Sequence, residues 1–354
     1  MNWLAWRQHR KQFMVAGIFL VLFAAFMIPT GLNFWHTYQQ ALSTCGKTDT
    51  CDQLSQELFQ SQGDGLLLHL VPVAMMFIPI LLGLFWGVPF LAREYGEGTN
   101  KLVWTQSISR RKWLSVKLIW ALAGAVIIAA GFAVLNTWWA KTGNALNLNR
   151  FNMLPFSTQG IVLIGYAIFA VSLGIFFGAW LKRTMAAIGI TLFLLIAIVL
   201  VAVPNFVRPH YMTPLTKDIV TNQFGPGDNS LQPPANGMIV SAQIQNHKGQ
   251  ILSFSNPPQK CIIPQSELPG VIGNNSVGRH AVKAPGNGGG SIMSVNGGPA
   301  ISGSCLESQG YFYLLKYQPS YRYWDFQRIE MGLYLGLSVI PIGLTYLLVL
   351  KRDA

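Results

Sequence analysis

The residues of this chain best able to do chemistry are its four cysteines, Cys45, Cys51, Cys261 and Cys305. Thiols at such positions either oxidise in pairs or hold a metal. Zinc sites use short paired units such as C-x-x-C with histidine or carboxylate nearby, and neither accompanies these cysteines. Disulfides are therefore expected, Cys45 with Cys51 and Cys261 with Cys305, although four cysteines allow three pairings. Cys45-Gly46-Lys47-Thr48 ends like a phosphate-binding loop, but Ala41 stands where the first glycine is required and no buried strand precedes it. The six histidines are scattered, with His69 alone near an apolar run, and neither H-E-x-x-H nor G-x-S-x-G occurs. No catalytic residue, metal site or cofactor site is expected within the chain itself.

What must position these residues is a membrane protein. Of the 354 residues, 51% are hydrophobic and only 11% charged, against about a quarter charged in soluble domains. Six apolar runs are each long enough to cross a bilayer: 14–32, 66–91, 118–139, 158–181, 184–203 and 332–350. The fold class is thus all-α and polytopic, with six transmembrane helices. Basic residues gather at the ends read as cytoplasmic, thirteen against three acidic ones, so +10 of the formal +12 falls there. That asymmetry orients the chain with both termini inside, and it speaks for topology, not for a nucleic-acid partner. The first run lacks a cleavage site and is expected to remain as an anchor. Before it, Trp3, Leu4, Trp6 and Phe13 alternate with Arg7, His9, Arg10 and Lys11, which suits either an interfacial helix or a basic flank.

The domain division follows: 1–204 for the first five spans, 205–328 as an extracytoplasmic domain, 329–354 for the last span and its tail. Pro72, Pro79 and Pro89 mark the second span as one that kinks inside the protein. Gly174 and Gly178 offer a face for close helix packing in the fourth, and the short Lys182-Arg183 turn makes the fourth and fifth spans an antiparallel pair. In 205–328 the alternation predicts strands over Met238 to Ile244 and Gln250 to Ser255, joined across Asn246 to Gly249. Gly286 to Pro299 reads as a flexible loop. The aromatic run from Tyr311 to Phe326 reads as a segment resting on the outer membrane surface. No span holds a clear carboxylate pair, so ion-coupled transport has little support.

Between the second and third spans lies the polar stretch 92–117, AREYGEGTNKLVWTQSISRRKWLSVK. Gly96 and Gly98 permit a bend, Thr99 is suited to cap a helix from Asn100 to Ile108, and Ser109 ends or resets it. Leu102, Val103 and Trp104 give that helix a small apolar side, enough to fill a groove on a partner. Its Arg93, Glu94, Gly98, Thr99, Leu102, Thr105, Gln106, Ser109, Arg110 and Trp113 resemble the pattern of type-2 ABC exporter permeases.

That resemblance implies a permease that moves a hydrophobic or amphiphilic substrate (drug, antibiotic, lipid or peptide) out through the cell membrane. It implies partners: two ABC ATPase subunits binding ATP and Mg, a second permease, most simply an identical copy, and membrane lipids. Arg93, Glu94, Glu97, Gly98, Thr99, Leu102, Trp104, Arg110 and Arg111 become the ATPase-coupling residues. Since neither Glu94 nor Glu97 lies in a predicted span, replacing both by Ala is expected to spare folding and weaken the ATPase contact. The long segment before the sixth span exceeds the compact pattern of the family. A membrane-embedded enzyme and a receptor or scaffold subunit are the alternatives, and copurification of an ATPase separates them from a permease.

Overall fold

The computed structural model describes residues 2–45, 64–96, 109–141, 149–219, 237–252, 258–263, 282–283, 291–293 and 300–351. The chain divides into two compact units, one of 1–211 with 321–354, the other Met212–Ser320. The first unit is helical and the second carries short antiparallel strands, so the protein is mostly helical with a small β component.

Among the described residues, six helices are long and apolar enough to cross a membrane: Gln12–Gln40, Leu70–Gly96, Arg110–Trp139, Val162–Leu181, Thr184–His210 and Ser320–Lys351. All six were legible as apolar runs, but several reach further than hydropathy alone suggests. The first lies in one unbroken helix, Asn2–Cys45, so the basic segment before it is a continuation of the span and not a separate interfacial helix. The residues that follow the first apolar run are helical as far as Cys45 for the same reason: helical hydrogen bonding, once nucleated, continues where no residue breaks it. The fifth runs through Pro204 as a π-helix, Ile196–Val207, and ends in a 3-10 turn, Arg208–His210. The sixth starts at Tyr323, well before its apolar core.

The fourth span is the hub. It is the most buried of the six, and the second, third, fifth and sixth all pack on it. Its contact with the second span is made by backbone. A Cβ on Gly83 would come 2.8 Å from the carbonyl oxygen of Ala170, and one on Gly87 2.7 Å from that of Val171. Gly174 and Gly178 face back onto Gly83 and Val88, so small residues on both helices let the two backbones touch. The proline-bearing second span is accordingly two-thirds buried within the chain, with a π-helical segment at Leu82–Gly87 where its ladder loosens. Lys182, at φ 55°, closes the fourth span and begins the tight turn into the fifth.

The second unit holds a three-stranded antiparallel sheet in the order β1 (Leu215–Ile219), β7 (Tyr311–Gln318), β2 (Met238–Asn246). The expected turn after β2 is present. Asn246 Oδ1 accepts from the backbone N–H groups of Lys248 and Gln250, Gly249 takes φ 76°, and Gln245 bridges to Ile251. A second sheet runs β3 (Ile262–Ile263), β6 (Ala300–Ser302), β5 (Ser291–Met293), β4 (Val282–Lys283).

Two expectations change here. The run from Tyr311 to Phe326 is not one surface segment, because Tyr311 to Tyr317 form the central strand β7 while Tyr323, Trp324 and Phe326 begin the sixth span. The stretch read as a glycine-rich loop contains strand β5; the rest of 286–299 lies outside the described residues. Cys261 and Cys305 form a disulfide, with Cα atoms 5.4 Å apart, beside a small core of Ile244, Leu252, Ile301 and Leu306. Cys45 ends the first helix, and the expected Cys45–Cys51 pairing falls outside the described residues.

Candidate functional site

The residues flanking the polar stretch 97–108 converge at one end of the bundle. The second span ends at Gly96 and the third starts at Arg110, capped by Ser109, whose side chain accepts from the Lys112 N–H. Two turns into the third span, Lys117 reaches across to Glu94 and forms an ion pair with it. The Lys117 side chain is 5% exposed and that of Glu94 19%, so this is a pair at the root of the stretch and not a solvated surface contact. The ammonium also lies 5.0 Å from the ring centre of Trp113 and 5.7 Å from that of Phe90. A desolvated cation held by a carboxylate and two aromatic faces joins the second and third spans. At the same end, Ser115 and Tyr346 share a 2.7 Å hydrogen bond between the third and sixth spans, and Lys182 lies over Tyr95 at 5.3 Å.

The opposite end carries a denser polar cluster. Arg208, at the tip of the fifth span, donates from Nε and Nη2 to the two carboxylate oxygens of Glu330 on the sixth, each at 2.8 Å. Tyr166 of the fourth span donates to Glu330 Oε1, and Tyr211 donates to Oε2 at 3.1 Å. Burial holds the Tyr211 hydroxyl well above the usual phenol range, with the Glu330 charge adding to it, so it remains a donor. The guanidinium stacks 4.0 Å from the centre of Phe156. Arg208 is 2% exposed and Glu330 0%. One turn earlier on the sixth span, Gln327 donates to Phe156 O at 2.8 Å and accepts from Val162 N–H at 2.9 Å. It thereby satisfies one of the orphan amides at the start of the fourth span.

The family model described as ABC-2 membrane transporter related matches residues 17–208, more than half of the chain. The chain belongs to that family. Neither a curated protein nor a solved structure matches it. With six apolar helices, this ABC-2 protein is a multi-pass subunit of a membrane transporter, in the cell membrane, and its family implies an ATPase partner.

Among the coupling residues expected in this permease, Arg93 is exposed in the last turn of the second span, Arg111 is exposed in the first turn of the third, and Arg110 is half-buried beside it. Glu97, Gly98, Thr99, Leu102 and Trp104 lie outside the described residues. Two members of the sequence pattern, Glu94 and Trp113, meet around Lys117. This corrects one expectation: Glu94 belongs to the helix of the second span and holds a buried lysine, so its loss cannot leave the bundle untouched.

The cluster of Arg208 and Glu330 was missed altogether. Each sits just beyond its apolar run and so reads as the margin of the polar segment. The signal that would have found Glu330 is a polar stripe at helical spacing: Tyr323, Gln327, Glu330, Tyr334, Ser338 and Thr345 all lie on the buried face of the sixth span.

Proposed function

We propose that this chain is the permease subunit of an ATP-driven exporter, working as a homodimer with two copies of an ATPase subunit that bind ATP and Mg. The end carrying 92–117 and both termini faces the cytoplasm, the segment between the fifth and sixth spans is extracytoplasmic, and a hydrophobic or amphiphilic cargo leaves between the two permeases. The buried pair of Glu94 and Lys117 is the observation that carries this reading. It locks together the two helices from which the docking stretch hangs, so displacement of that stretch by the ATPase moves the second and third spans as one. The second span transmits the motion to the fourth because their backbones are in contact at Gly83, Gly87, Gly174 and Gly178, which leaves no slack. At the far end, Glu330 ties the fourth, fifth and sixth spans together through Tyr166 and Arg208.

The test is purification of the tagged chain from membranes with its ATPase, followed by hydrolysis and export in vesicles for wild type and Lys117→Met. An ATPase copurifies with both. The variant hydrolyses ATP but exports severalfold less per ATP, because the second and third spans no longer move together. Export per ATP equal to wild type would refute the role of the pair, and absence of any copurifying ATPase would refute the exporter reading itself.

A further inference from the structure

Tyr334 of the sixth span is 0% exposed, and its hydroxyl has no hydrogen-bond partner among the described residues. Buried tyrosine hydroxyls usually find one, and an unpaired one bears the full desolvation cost of the group. Its ring packs edge-on against Tyr166 of the fourth span, with centres 4.7 Å apart, and Tyr166 is the residue that donates to Glu330. Tyr334 follows Glu330 by four positions on the same helix, and helical side chains lean toward the N-terminal end, so its hydroxyl is carried toward that carboxylate. Two tyrosines thus flank one carboxylate, one bonded to it from the neighbouring span and the other unbonded on its own.

Elsewhere along the seam between these two spans, the buried hydroxyls do not hold the helices together. Ser338 and Thr345 on the sixth span donate to carbonyls of their own helix, Tyr334 O at 2.6 Å and Pro341 O at 2.7 Å. Ser172 on the fourth does the same to Phe169 O at 2.9 Å. None of these three bonds crosses the seam, so a shift of one helix against the other keeps all of them. At Glu330, Arg208 supplies two hydrogen bonds from a cation and Tyr166 one from a neutral hydroxyl, so the tie to the fourth span yields before the tie to the fifth. Gln327 still holds the start of the sixth span to the Val162 N–H, which makes that end the pivot. At the end carrying 92–117, Ser115 and Tyr346 share their 2.7 Å bond, so displacement of the third span pulls on the sixth.

We infer that Tyr334 is the alternative donor to Glu330: during transport the sixth span tilts about Gln327, Glu330 parts from Tyr166 and accepts from Tyr334 instead, and the fifth span follows through Arg208. The inference rests on the permease reading and names the residue that lets the far end of the bundle take a second arrangement. A buried carboxylate parted from Tyr166 with no replacement would lose a charge-assisted hydrogen bond in a dry site. With Tyr334 at hand it keeps as many donors in the second arrangement as in the first, so both remain within reach of the motor. Tyr334 is therefore a positioning residue, idle in this structure and engaged in the other.

The experiment uses the full chain with its copurified ATPase in vesicles. Tyr334→Phe removes only the unpaired hydroxyl, so its resistance to unfolding equals or exceeds that of wild type, while export turnover falls about tenfold, the worth of one hydrogen bond to a charged group. Tyr166→Phe removes the hydroxyl that Glu330 uses in this structure and unfolds more readily than wild type. A fluorotyrosine in place of Tyr334 reports the bond itself. Its fluorine resonance moves when ADP and vanadate trap the ATPase, and moves less for a fluorophenylalanine at the same position, which follows the same motion without a hydroxyl. Loss of stability in Tyr334→Phe would show that the hydroxyl already has a partner. Export equal to wild type, or equal fluorine shifts for the two labels, would show that it gains none. Each of these outcomes overturns the inference, and ATP-driven export by wild type with its ATPase would then leave the permease reading standing without it.

Discussion

Removing Glu330 should be among the most damaging single changes in the membrane unit, and its cost can be worked from the cluster. Glu330→Leu leaves the Arg208 guanidinium, 2% exposed, without its carboxylate and deletes two charge-assisted hydrogen bonds of 2.8 Å. Breaking a buried pair from one side typically costs about 3–5 kcal/mol, because the remaining charge keeps its desolvation penalty. At about 1.4 kcal/mol per tenfold, that lowers the folding equilibrium by two to more than three orders of magnitude. Arg208→Met should cost a similar amount from the other side. The double variant removes both charges and should recover most of the loss, since apolar replacement of a buried pair is often close to neutral. Recovery should stop about 1–3 kcal/mol short, because Tyr166, 2% exposed, keeps a hydroxyl that no longer has an acceptor. The assay is reversible unfolding in mixed detergent micelles of wild type, both single variants and the double variant, read as a double-mutant cycle. Single variants within about 1 kcal/mol of wild type, or a double variant whose loss is the sum of the two singles, would refute this account of the cluster as a desolvated ion pair.

Two further outcomes are expected. Gly83→Val should separate the second and fourth spans, since a Cβ there meets the Ala170 carbonyl at 2.8 Å, and should cost about 1–3 kcal/mol of thermal stability as an overpacked contact; Gly189→Ala, with nothing within 4 Å of its new Cβ, is the control, and equal loss in the two would defeat the explanation. Cys261 and Cys305 should be recovered as one linked peptide pair under non-reducing conditions, and Cys261→Ala with Cys305→Ala should destabilise Met212–Ser320 by about 4 kcal/mol, as the 44-residue separation implies; two free thiols at these positions would contradict it.

Six apolar runs, the membrane class, the turn at Asn246 to Gly249 and the glycine face of the fourth span were all legible in the sequence, whereas the Cys261–Cys305 pairing was one of three the sequence allowed. The legible features depend on local information, because a bilayer demands a minimum apolar length and a tight turn demands particular residues. The pattern around 92–117 was legible too, but only as a string of residues. Tertiary structure decided which of them meet: Glu94 and Trp113 stand 19 positions apart in the chain and close around Lys117, which hydropathy had assigned to the basic loop. It also decided the fate of Arg208 and Glu330, 122 residues apart. Sequence places each at the edge of a polar segment, and only the helices on either side determine whether such a charge meets water or a partner. The physical reason is that charge is priced by its surroundings: the same carboxylate is inexpensive in a loop and costly in a bundle, and the bundle is assembled from residues the local window does not contain.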